Sequence, residues 1–177
     1  MDSYALLIAA SLNAGTVLAI AALGLLINEK AGIVNLGAEG MMLCAAIAGF
    51  ATVAHTGNFW FGFLAGMAAG AILAAIFGGL VIWLNTNQYA TGLALSLFGT
   101  GFSAFAGIQY VQVKLPEQTQ CAIPFLCDIP FLGMALFRQH PMVYIGIALM
   151  FGLIWFLYRT RTGLVLRSVG ESPESAH

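Results

Sequence analysis

A stretch of 74 consecutive residues between Glu39 and Lys114 contains no Asp, Glu, Lys or Arg. A water-facing surface cannot be built over such a length, because about a quarter of the residues of a typical soluble domain are charged. Here only 7% of the 177 residues are charged and 60% are apolar. These proportions exclude a soluble enzyme, a nucleic-acid-binding protein and a disordered protein. The net charge is −1, so the chain has no polybasic patch that could bind phosphates.

Five apolar stretches are long enough to cross the hydrocarbon core of a membrane, which takes about 20 residues of helix. Strands are not expected, because the alternating pattern of a barrel strand is absent and an open strand leaves its backbone unsatisfied in lipid. The sequence therefore predicts an all-α, polytopic transmembrane helix bundle with about five spans. The predicted spans are residues 4–27, 36–54, 59–84, 91–111 and 141–158.

Basic residues indicate the orientation of the bundle, because Lys and Arg are enriched in cytoplasmic loops. Three arginines follow the fifth span within nine residues, so the segment 159–177 is predicted to be cytoplasmic. Counting back through the spans places residues 112–140, the loop 55–58 and the N-terminus outside, and the loops 28–35 and 85–90 inside.

Rows of small residues at four-residue spacing predict close packing between helices. One row occupies the third span and the other the fourth. The first comprises Gly62, Gly66, Gly70, Ala74 and Gly78, and the second comprises Gly99, Ser103 and Gly107.

Two polar clusters lie at span boundaries, where polar groups are costly and need a reason. Asn35 is predicted as the N-cap of the second span, and Glu39 lies one turn further on, where a carboxylate complements the helix dipole. The alternative is that both residues line a polar path at the helix N-terminus. Glu39 is the only acidic residue within the five predicted spans.

The second cluster, at residues 85–92, carries amides and hydroxyls but no charge. A path for a neutral polar solute needs such donors and acceptors, whereas an ion path favours charges. Asn87, Gln88 and Thr91 are therefore candidate pathway residues. The alternative is a hydrated turn in which Thr91 starts the next helix.

Sequence motifs for catalysis are absent: there is no phosphate-binding loop, zinc-protease motif or hydrolase elbow. The three His residues are isolated, so we expect no metal, no cofactor and no enzymatic activity. Cys121 and Cys127 flank five residues of the segment predicted outside, where a disulfide and two free thiols are equally compatible with the sequence. Cys44 is predicted to pack within a span.

The C-terminal segment contains the motif Ser172-Pro173-Glu174, which is a strong helix-start signal. Few residues follow it, which suggests that the chain is the N-terminal part of a longer protein. In the same segment Gly163 and Gly170 are expected to permit turns. A solvated juxtamembrane tail is the alternative to a partner-binding segment.

Three segments together resemble the permeases of ABC importers of the nucleoside and simple-sugar type, within the branched-chain amino acid/ribose permease-like superfamily. These segments are NEKAGIVNLGAEGMM at 28–42, NQYATGLAL at 87–95 and TGLVLRSVGESPESA at 162–176. The first and third are long and fairly specific, and the second is weaker.

The resemblance implies one permease domain over residues 1–177 in a bacterial plasma membrane, translocating a neutral polar solute such as a nucleoside or a simple sugar. The implied partners are cytoplasmic ATPase subunits, a second permease subunit and an extracytoplasmic solute-binding protein. Segment 159–177 would couple to the ATPase through four residues. A non-transporting membrane scaffold or an inactive truncated permease is the alternative function. The implied coupling residues are Gly163, Arg167, Gly170 and Glu171.

Overall fold

The computed structural model describes residues 2–115, 121–122, 138–139 and 141–171, with side chains from residue 7 to 115 and from 141 to 171. A π-helix, Gly79–Trp83, continues α3, and a 3-10 turn, Ile108–Tyr110, ends α4. A two-residue strand pair, β1 (Cys121–Ala122) with antiparallel β2 (Arg138–Gln139), lies in the long segment between the fourth and fifth spans. The α-helices in the described ranges are α1 (Asp2–Lys30), α2 (Ala38–Thr56), α3 (Phe59–Gly78), α4 (Gln88–Gly107), α5 (Pro141–Arg159) and α6 (Arg161–Glu171).

Five helical stretches in the described part are long and apolar enough to cross a membrane, which confirms the predicted all-α, five-span architecture. Many of their large apolar side chains are exposed, including Trp83 at 84% and Phe105 at 76%. A water-soluble protein does not leave an apolar surface of this extent uncovered, so these faces are suited to lipid. The stretches are Leu7–Lys30, Ala38–Thr56, Phe59–Trp83, Gln88–Tyr110 and Pro141–Arg159.

Residues 33–117 form one compact unit, in which α2 packs against both α3 and α4. The glycine row of α3 meets α2 as predicted: a Cβ on Gly66 would lie 3.0 Å from the Ala45 carbonyl oxygen. Gly78, at the end of the row, has open space instead. Where α2 ends, His55 Nε2 lies 3.1 Å from Tyr110 Oη, which joins that end of α2 to the turn after α4.

The connection from α3 to α4 is fixed by the π-helix and by Thr86. The Thr86 backbone N–H and hydroxyl both donate to the Leu80 carbonyl, at 3.1 Å and 2.9 Å. Asn85, the residue before Thr86, has a φ of +51°, a left-handed conformation that Asn tolerates better than most residues. This turn sets the point at which α4 begins.

The other compact unit comprises residues 1–32 and 118–177, and its described helices are α1, α5 and α6. Gly146 on α5 faces α1, where a Cβ would lie 2.9 Å from Thr16 Cγ2. Leu157, near the end of α5, is buried with 2% of its surface exposed. Helix α6 follows α5 after one residue, Thr160, and packs on the ends of α5 and α1.

Candidate functional site

The first polar cluster forms the entry into α2. The Asn35 Oδ1 accepts a hydrogen bond from the Gly37 backbone N–H at 2.9 Å, and its Nδ2 lies 3.7 Å from Met41 Sδ. The N-cap of α2 is Gly37 and not Asn35. The cap prediction was wrong by two residues, because the Asn35 side chain closes a local turn before the helix starts.

Glu39 lies in the first turn of α2 with an exposed side chain. Its side chain makes no hydrogen bond or ion pair with any residue that the structure describes. The position in the first turn agrees with favourable interaction between a carboxylate and a helix N-terminus. The carboxylate is also free to accept hydrogen bonds from a ligand.

The second cluster forms the start of α4. Asn87 is its N-cap, and its Oδ1 accepts from the backbone N–H groups of Tyr89 and Ala90 at 2.9 Å and 3.2 Å. The interpretation in which Thr91 starts this helix is therefore wrong. The Thr91 hydroxyl instead lies 2.9 Å from the Thr86 hydroxyl, across the turn that precedes α4.

The structure brings the two clusters together at one end of α2 and α4. Gln88 Oε1 accepts a hydrogen bond from the Val34 backbone N–H at 3.0 Å, across 54 positions of sequence. A Cβ on Gly92 would lie 2.9 Å from the Leu36 nitrogen, so the start of α4 touches the main chain of the loop before α2. Both helices therefore present their N-terminal ends to the same region.

One turn further along, the helices cross in backbone contact. A Cβ on Gly40 would lie 2.7 Å from Ser96 Cα, and a Cβ on Gly99 would overlap the main chain of Gly40. Sequence reasoning found Gly99 through its small-residue row but missed Gly40 and Gly92. Their signal was a glycine near the start of a predicted span, where no turn is expected.

The candidate coupling segment begins at a corner between α5 and α6 that Thr160 organises. The Thr160 hydroxyl donates to the Phe156 carbonyl at 2.6 Å and accepts from the Gly163 backbone N–H at 3.1 Å. One side chain therefore satisfies a backbone carbonyl at the end of α5 and a backbone N–H at the start of α6.

Gly163 and Gly170 lie inside α6, so the prediction that they permit turns was wrong. Gly163 is buried, and a Cβ there would lie 2.8 Å from Leu157 Cα. A Cβ on Gly170 would overlap the Lys30 carbonyl oxygen and lie 2.9 Å from the Gly32 nitrogen. Both glycines serve close contact between backbones and not chain reversal.

Arg167 lies on the same inward side of α6. Its guanidinium carbon is 4.7 Å from the centre of the Tyr158 ring, within the range of a cation–π contact. Its Nε is buried and has no hydrogen-bond partner in the described part of the chain. Of the four residues implied in coupling, only Glu171 is exposed.

The choice between a Cys121–Cys127 disulfide and two free thiols falls outside the described residues, which include neither Cys127 nor the side chain of Cys121. The helix-start motif at Ser172 lies outside them as well. Among the described residues, no group of three His, Cys, Asp or Glu side chains could hold a metal ion.

Comparison with known proteins assigns this architecture to a class. The profile of the family described as the permease component of the branched-chain amino acid transport system matches residues 7–177. The chain therefore belongs to this family of permease components, and it is a multi-pass membrane protein, consistent with the plasma membrane. No solved structure gives a significant match.

Three curated relatives cover nearly all of the chain. The ABC transporter permease TsgC13 of Haloferax volcanii, provisionally named for glucose, is 43% identical over 99% of the chain and 55% of its own length. The guanosine ABC transporter permease NupQ of Bacillus subtilis is 33% identical over 97% of the chain and 57% of its own length. The nucleoside permease NupC of Lactococcus lactis is 28% identical over 99% and 59%. The chain thus spans a little over half the length of these relatives.

Proposed function

We propose that this chain belongs to the membrane-spanning subunit of an ABC importer that moves a neutral polar solute, a nucleoside or a simple sugar. The observation that carries the proposal is the family match over residues 7–177, together with relatives named for glucose, guanosine and nucleosides. Glucose and nucleosides are uncharged and rich in hydroxyl groups. The 74-residue tract without charged side chains suits a path for such solutes, whereas an ion path would favour charged side chains.

The proposed pathway residues are those at the starts of α2 and α4: Asn35, Glu39, Asn87, Gln88 and Thr91. Asn35, Asn87 and Gln88 already hold backbone N–H groups, so their first effect is to shape this region. The exposed carboxylate of Glu39 is the group best placed to accept hydrogen bonds from solute hydroxyls.

ATP hydrolysis would take place in partner ATPase subunits, with an extracytoplasmic binding protein and a second permease subunit completing the importer. Segment 159–177 is the proposed contact with the ATPase. Support comes from the outward side of α6, which exposes Leu164 and Val165, each 60% exposed, together with Glu171. An apolar patch bordered by charge is typical of a protein-binding surface.

The test is uptake of labelled guanosine and glucose by cells that carry the full-length protein and its partner subunits. The Glu39→Gln substitution keeps the size of the side chain and removes the charge. We expect the KM for uptake to rise about tenfold, as for the loss of one charge-assisted hydrogen bond of about 1.5 kcal/mol. Glu29→Gln, a second exposed carboxylate near the end of α1, is the matched control and should leave KM unchanged.

The outcomes separate the claims. An unaltered KM in Glu39→Gln would remove Glu39 from the pathway while leaving the permease function intact. Uptake that is the same with and without the gene would instead favour the membrane scaffold.

A further inference from the structure

The two sides of α6 differ in what they contact. Gly163, Leu166, Arg167 and Gly170 repeat at the spacing of one helix face, and all four are buried or half-buried within the α1–α5–α6 unit. Leu164, Val165, Ser168 and Val169 lie on the opposite side and are exposed. Three of the four residues that the resemblance implies in coupling, Gly163, Arg167 and Gly170, therefore lie on the inward face, where a partner protein has less access.

We infer that Gly163, Arg167 and Gly170 are positioning residues, which hold α6, the end of α5 and the end of α1 together as one body. Their role in coupling would be to transmit movement within the chain and not to bind the ATPase. The inference rests on the proposed function only in naming the ATPase as the source of that movement.

Contact at the two glycines joins main chain to main chain. Gly163 meets Phe156 and Leu157 near the end of α5, and Gly170 meets Lys30 and Gly32 at the end of α1. The second contact is reciprocal, since a Cβ on Gly32 would lie 3.3 Å from Gly170 Cα. Gly32 also has a φ of +79°, which side chains rarely permit, so both partners need glycine. Because main chain lies directly against main chain at both glycines, α6 cannot shift at either point without disturbing the end of α5 or the end of α1.

Arg167 adds an independent contact between these two points. Its guanidinium lies over the Tyr158 ring, and its shielded Nε cannot be reached by an acceptor on a partner protein. Tyr158 belongs to α5, so this contact ties the middle of α6 to α5. The flat guanidinium covers the ring face in a way that the point charge of a lysine does not.

The Tyr158 ring offers a test that does not disturb the core, because this side chain is 62% exposed. Tyr158→Leu removes the aromatic face from Arg167, whereas Tyr158→Phe keeps it and is the matched control. Gly170→Val forces α6 away from Lys30, and Gly152→Ala is its control, since Gly152 on α5 has no atom in reach of a Cβ.

The first measurement is the mobility of a spin label at Ser168→Cys, on the outward side of α6. It is made in the full-length protein in membranes, with every native cysteine replaced by serine. We expect faster label motion in Tyr158→Leu and Gly170→Val, and the parent spectrum in Tyr158→Phe and Gly152→Ala. Parent spectra in both Tyr158→Leu and Gly170→Val would overturn the inference.

The second measurement is the amount of solute imported per ATP hydrolysed by the reconstituted importer. In Tyr158→Leu this ratio should fall about two- to fivefold, the range expected for one exposed cation–π contact, while ATP hydrolysis persists. An unchanged ratio would overturn the role in transmission. Absence of any import by the unaltered importer would refute the proposed function instead, and the spin-label result would still decide whether α6 is held as inferred.

Discussion

Single residues matter most in this chain where two helix backbones touch. Gly40 and Gly99 are such a pair, because neither α2 nor α4 can gain a Cβ at the crossing without moving apart. In lipid, where apolar side chains gain little by leaving the solvent, close packing of this kind is a main source of helix association. The same reasoning applies to Gly163 and Gly170 on α6.

The stability of the α2–α4 crossing should depend on the glycine at position 99 and not on the number of glycines in α4. Gly99→Ala should lower the free energy of unfolding by about 1–3 kcal/mol, the usual range for an overpacked core. Gly101→Ala on the same helix meets no atom within 4 Å and should leave stability unchanged or raise it slightly, because Ala favours helix. The check is the thermal midpoint of each full-length variant in detergent. Equal midpoints for both variants would contradict the importance of the crossing.

Three of the described helices begin where a side chain supplies a hydrogen-bond acceptor, with Asn87 for α4, Thr160 for α6 and Asn58 for α3. Each cap fixes a boundary that apolar periodicity alone leaves uncertain. The spans themselves followed from the sequence, because their apolar length is unmistakable. The predicted cap of α2 was two residues too early. The local sequence does not distinguish an Asn that closes a turn from an Asn that caps a helix.

Asn87 is both a helix cap and a proposed pathway residue, and the two roles predict different results. As a cap, Asn87→Ala should destabilise the protein by about 1 kcal/mol, whereas Asn87→Asp should preserve stability because it keeps the acceptor oxygen. A pathway role predicts that Asn87→Asp still raises the KM for uptake, because the amide donor is lost and a charge is added. Thermal midpoints and uptake kinetics measured on the same two variants separate the roles. A stable Asn87→Ala variant would contradict the capping role.

The two-sided character of α6 was not predicted, although the spacing of its inward residues is regular. A packing face is normally predicted from a stripe of apolar side chains. Glycine and arginine do not form such a stripe, so the sequence did not indicate Gly163, Arg167 and Gly170 as a packing face. Their partners were also hidden, because Gly170 meets Lys30 and Gly32, which lie about 140 residues earlier in the chain. Contacts between distant main-chain segments leave no local pattern to read.

For the whole molecule, the pattern of charge predicts the side of the membrane on which each end lies. The end of α1 and the end of α6 meet at Lys30 and Gly170, which agrees with the count that placed loop 28–35 and segment 159–177 on the same side. The arginines after α5 predict that this side is cytoplasmic.

Labelling with a membrane-impermeant maleimide tests this orientation in a background without native cysteines. Ser168→Cys should react only after the membrane is opened, because it lies among the basic residues. Asn58→Cys, in the exposed turn between α2 and α3, should react in intact cells. The opposite result at both positions would reverse the orientation of the chain.

The seven-residue separation of Gly163 and Gly170 restricts the length of α6 as well as its composition. An α-helix turns by about 100° per residue, so one added residue between these glycines would rotate everything beyond it by more than a quarter turn. Gly170 would leave the Lys30 carbonyl, and an apolar side chain from the outward side would face the end of α1. We therefore expect an insertion or deletion in this short helix to be more harmful than most single substitutions.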